Sequence, residues 1–133
     1  MKLNGIDLRV LPGAVMVYCL TPLRHVPSPS LNDAEQQTLI QLSDRVTDAR
    51  ESAYKLTKAD EQRHRGDVIR ARLSVSLDLT FSEAERELLG RALEACAIEM
   101  EHGGDVNIHF NGDEYGVNPA AFRDLAARLQ AEV

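Results

Sequence analysis

The sequence predicts an α+β domain in the order β-β-α(long)-β-α-β-β-α, with helices packed on one face of a largely antiparallel sheet. Three observations lead there. Residues 69–81 alternate strictly between apolar and polar, the period of a half-buried strand. Residues 39–56 carry apolar side chains at alternating steps of three and four, the period of a helix. Pro12-Gly13 and Asn111-Gly112 each lie between apolar runs and read as the corners of hairpins. At 133 residues, with 44 % hydrophobic and 27 % charged side chains, the chain fits one domain, residues 1–133, with its own core.

The opening reads as a hairpin. Ile6, Leu8 and Val10 alternate with Asp7 and Arg9, Pro12-Gly13 turns the chain, and residues 14–20 return as a strand apolar on both faces. Residues 21–30 hold Pro22, Pro27 and Pro29, which exclude a regular helix or central strand and leave an extended connector. Asn32 or Asp33 then caps a long helix. Its apolar positions Leu39, Leu42, Val46, Ala49, Ala53 and Leu56 form a heptad seam. The same period carries Asp60 and Arg63 onto the seam, so the apolar stripe stops there, while Gly66 sets the end of the helix.

Ile69, Ala71, Leu73, Val75, Leu77, Leu79 and Phe81 share one face of the clearest strand. Ser82 and Glu85 have the spacing of a capping box, and the helix they start turns Leu88, Leu89, Ala92, Leu93, Ala95, Cys96 and Met100 inward. Gly103-Gly104 ends it. Val106, Ile108 and Phe110 lead into Asn111-Gly112, and Tyr115 and Val117 return from it. Asn118-Pro119 pairs an N-cap with proline at the first helical position, opening a last helix striped by Phe122, Leu125, Ala126 and Leu129.

Charge is unevenly placed. The net charge is −6, yet Lys55, Lys58, Arg63, Arg65, Arg70 and Arg72 face only Asp60, Glu61 and Asp67 between residues 55 and 72. The acidic balance and an aromatic fraction of 5 % disfavour nucleic acid as a partner. The first ten residues lack the apolar run of a secretory signal, and the longest apolar run, residues 14–20, is too short to span a membrane. Two cysteines, Cys19 and Cys96, in apolar surroundings read as core thiols in a cytoplasmic protein.

Three groups of side chains are candidates for function. Arg63, His64, Arg65, Arg70 and Arg72 could grip a phosphate or carboxylate, although no glycine-rich phosphate loop accompanies them. Glu83, Glu87, Glu94 and Glu101, spaced by four, seven and seven, lie along one helix face and could meet a basic partner, with Arg91 placed to pair with Glu87. The seam from Leu39 to Leu56 could pack against a second copy. His102 and His109 with nearby carboxylates match no metal-ligand spacing, and His102 suits the C-terminal end of a helix. No motif of nucleophilic catalysis is present, and no metal or cofactor is implied.

These features lead to a non-enzymatic protein-binding domain, adaptor- or inhibitor-like, acting as a homodimer through its long helix. The alternative is a binder of, or enzyme on, a small anionic ligand bearing a phosphate or nucleotide, held by the Arg63–Arg72 cluster.

Overall fold

A computed structural model of the chain describes residues 1–20, 23, 31–53, 75–102 and 118–131. Four helices, α1 (Gly5–Leu20), α2 (Asp33–Ala53), α3 (Glu83–Glu101) and α4 (Pro119–Ala131), make up 80 % of the described residues. The sheet among them has only two strands, β1 (Lys2–Leu3) and β2 (Leu77–Asp78). This overturns the expected α+β domain with a largely antiparallel sheet. The described residues form a helical bundle.

Side-chain caps explain where the helices begin. Asn4 donates its N–H to Asp7 Oδ2 at 2.9 Å, and the Asp7 N–H returns a bond to Asn4 Oδ1 at 2.9 Å. Asn32 and Glu35 make the same exchange ahead of α2, as do Ser82 and Glu85 ahead of α3. At α4, Asn118 Oδ1 accepts the Ala121 N–H at 2.9 Å. Each cap satisfies amide donors that the first helical turn leaves without a partner, and contributes about 1 kcal/mol.

The largest correction is α1. Residues expected to form a hairpin form one helix of 16 residues, with Pro12 in its interior. Leu8, Val10, Leu11, Ala14, Val15, Val17 and Tyr18 are all buried, so apolar side chains surround most of the helix. It packs against α2, α3 and α4, and a helix covered on so many sides loses the one-sided pattern that marks an amphipathic one. The uncovered part carries Met16 and Leu20, which are exposed. Burial of α1 within the bundle outweighs the turn preference of Pro12-Gly13.

Pro12 has no N–H to offer the carbonyl of Leu8, four residues earlier. Arg50 of α2 reaches that oxygen instead, its Nη1 donating at 3.5 Å. A second cross-link ties α1 to α4. Asp7, only 3 % exposed, receives Arg128 Nη2 on Oδ1 at 2.6 Å and Nη1 on Oδ2 at 3.0 Å. That hydrogen bond raises the Arg128 guanidinium above its ordinary value, and Asp124 reinforces it at 2.9 Å.

The expected strand over 69–81 is also corrected within its described part. Val75, Leu77 and Leu79 are half-buried while Ser76, Asp78 and Thr80 are exposed, so the alternation is present. Only Leu77 and Asp78 form a strand, antiparallel to β1 with Leu3 opposite Leu77 and Lys2 opposite Asp78. Met1 extends the pairing through two hydrogen bonds with the backbone of Leu79. Residues 69–74, the hairpin expected around Asn111-Gly112 and the helix expected beyond Ala53 lie outside the described residues.

One core joins Leu3 to the inner faces of all four helices. Leu39, Leu42 and Val46 of the expected seam face this core and are buried in it. Arg45, on the next face of α2, holds the approach to α3. It donates to the Thr80 carbonyl at 2.9 Å, lies 3.7 Å from Glu85, and stacks 4.9 Å above the Phe81 ring.

Candidate functional site

The outer face of α3 and the neighbouring side of α4 enclose a groove of ≈ 830 Å³. Its position follows from the α3 sequence. With Leu88, Leu89, Ala92, Leu93 and Cys96 turned into the core, the residues between them are left on the opposite side. Glu83, Arg86, Glu87, Gly90, Arg91 and Glu94 therefore line the α3 wall. Ala126, Leu129 and Gln130 supply the α4 wall. Glycine, alanine and leucine give the groove an apolar base, and charged side chains of both signs stand around it.

The two helices run in opposite directions. Arg123, near the start of α4, donates to Glu94 at 3.4 Å and pairs with Glu101, both in the second half of α3. Ala126 and Leu129 lie beside the first half. The expected acidic row is thus divided. Glu94 and Glu101 are bridged by Arg123, whereas Glu83 and Glu87 have no ion-pair or hydrogen-bond partner among the described residues. Arg91 turns to Glu35 of α2 at 3.4 Å rather than to Glu87.

Arg86 and Gly90 are functional candidates that the sequence reading passed over. The Arg86 side chain makes no hydrogen bond or ion pair among the described residues, although its Nε is enclosed. A guanidinium nitrogen removed from water without an acceptor is a local cost of the folded chain. Gly90 sits in the middle of α3, where a Cβ would meet nothing within 4 Å among the described residues. The available signal was a lone glycine inside a strong helical pattern, flanked by opposite charges at positions 86 and 94.

The remaining expected residues divide as follows. Ala49 and Ala53 are half-buried on α2, and Leu56 lies outside the described residues. Arg63, His64, Arg65, Arg70 and Arg72, the expected anion cluster, also lie outside them. His102 closes α3 and hydrogen-bonds through Nδ1 to the Ile98 carbonyl at 2.8 Å, while His109 is outside the described residues.

Cys96 lies on the inner side of α3, its thiol donating to the Ala14 carbonyl at 3.7 Å. Burial, reinforced by nearby Glu99, pushes it up to about 12. Cys19 is half-buried and raised by the same cause. Both thiols stay protonated at neutral pH, the opposite of an activated nucleophile. Among the described residues, no three of His, Cys, Asp and Glu gather as metal ligands, and no helix is long and apolar enough to cross a membrane. Comparison with protein-family models, curated proteins and solved structures finds no match to this chain.

Proposed function

We propose that the chain is a protein-binding domain that receives a helix from another chain in the groove between α3 and α4. The observation that carries this reading is the state of the groove wall. Glu83, Arg86 and Glu87 stand at its edge with no partner among the described residues, above a base of Gly90, Ala126 and Leu129. A glycine and an alanine at the base let a second helix backbone come close, and charges at the rim that lack a partner among the described residues give it a register. The dimer reading moves accordingly from the α2 seam to this face, because Leu39, Leu42 and Val46 are held in the chain's own core.

The test places a photo-cross-linking residue, p-benzoylphenylalanine, at Gln130, which is exposed on the α4 wall. Irradiation in cells producing the chain should give a discrete protein adduct that Gly90→Lys abolishes. No adduct, or one indifferent to Gly90→Lys, would overturn the reading.

A further inference from the structure

The groove reading leaves open which helix enters, and the inference below rests on that reading. We propose that the occupant is α3 of a second copy, in an antiparallel two-fold pair that crosses at Gly90.

The first argument is steric. Among the described residues, nothing within 4 Å of Gly90 requires the absence of a side chain, so their packing gives no reason for a helix-breaking residue there. A backbone approaching from outside does give one, since two helices cross most closely where their side chains are smallest. A two-fold axis at the crossing brings Gly90 of each copy against Gly90 of the other.

The second argument is electrostatic. Arg86 and Glu94 lie four residues to either side of Gly90, about 6 Å along the helix in each direction. Reversing the helix about Gly90 exchanges these positions, so each Arg86 meets the partner's Glu94. Both pairs form together, as an isologous contact requires.

The third argument is the condition of Arg86 in the single chain. Its guanidinium has no acceptor among the described residues, and its Nε is enclosed. The partner's Glu94 supplies an acceptor for the terminal nitrogens of that guanidinium. Among the described residues Glu94 is held only by Arg123 at 3.4 Å, with its side chain 52 % exposed, which leaves oxygen lone pairs for a second arginine. An acidic peptide entering the same groove would meet Glu83, Glu87 and Glu94, and a basic one would meet Arg86 and Arg91. A surface of mixed sign that becomes its own complement on reversal suits its own copy better than either.

The test is sedimentation equilibrium of the whole chain from about 10 to about 200 µM. Wild type should move from monomer towards dimer across that range. Arg86→Glu and Glu94→Arg should each weaken the dimer about tenfold or more, because each sets two like-charged pairs across the axis. An equimolar mixture of the two variants should associate as tightly as wild type, since in the heterodimer every pair is again opposite in sign. Loss of folding does not imitate this result, because two misfolded variants do not rescue each other, and thermal melts of each variant check it directly. A wild-type monomer at the highest concentration, or a mixture no tighter than its components, would overturn the proposal. If the Gln130 adduct then contains a different protein, the groove reading survives and only self-association fails. If there is no adduct, both fail.

Discussion

Arg50 donates from α2 to the Leu8 carbonyl at 3.5 Å, the oxygen that Pro12 cannot serve from within α1. A proline in the interior of a helix is tolerated when a neighbouring element satisfies what it leaves open. The relationship predicts coupling between the two residues. Pro12→Ala restores the missing N–H, so Arg50→Ala should cost about 0.5–1 kcal/mol less in that background than in wild type. Urea unfolding of the four proteins of the cycle measures it. Additive effects would mean that the contact contributes nothing.

Asp7 both caps α1 and receives Arg128 bidentately, so removing the arginine leaves a carboxylate 3 % exposed without its cation. Arg128→Met should destabilise the fold by about 2 kcal/mol, below the range for a fully buried pair because Arg128 is 37 % exposed. Arg128→Lys should recover only part of the loss, because an ammonium cannot match the two-pronged geometry. A Lys variant with the wild-type urea midpoint would contradict the bidentate role.

Cys96 sets an alkaline limit on stability. Its thiol rises from 9.0 to about 12 on folding, so the folded state holds its proton where the unfolded chain has released it. The stability contributed is complete below pH 9 and is lost as pH climbs towards about 12, with a slope of up to about 1.4 kcal/mol per pH unit. Unfolding midpoints at pH 8, 9 and 10 should fall for wild type and fall less for Cys96→Ala. Parallel slopes would remove Cys96 as the cause.

Gly90→Ala should raise the stability of the single chain. A Cβ there meets nothing within 4 Å, and alanine exceeds glycine in helix interiors by about 0.5–1 kcal/mol. Urea unfolding of dilute protein reads the gain. A loss would show that Gly90 is needed by the chain's own fold, which would weaken the steric argument for a docking helix.

The sequence exposed some of this architecture clearly and hid one part of it for a physical reason. Ser82 and Glu85 form the expected capping box, and Asn118 caps α4 ahead of Pro119. Phe122, Leu125, Ala126 and Leu129 are all buried, and the inward set of α3 is buried except Ala95, which is half-buried. These helices have one wet face, so their pattern shows. The residues of α1 are covered on most sides, and a short apolar run of that kind has no period to separate a buried helix from a buried strand. Asn4 and Asp7 carried the missing signal, with the spacing of a capping box three residues apart. At the groove, the acidic residues were legible as a row, but their division into bridged and unpaired halves depends on Arg123, far along the sequence on α4.

The most direct measurement is oxidative cross-linking of Gly90→Cys in a Cys19→Ser background. A two-fold crossing at residue 90 brings the two introduced thiols together, whereas those of Glu83→Cys, about 10 Å along α3 from the axis, are carried apart. Mild oxidant should convert Gly90→Cys, and not Glu83→Cys, to a reducible species of twice the chain mass on a non-reducing gel. No such species, or equal conversion of both variants, would contradict the account.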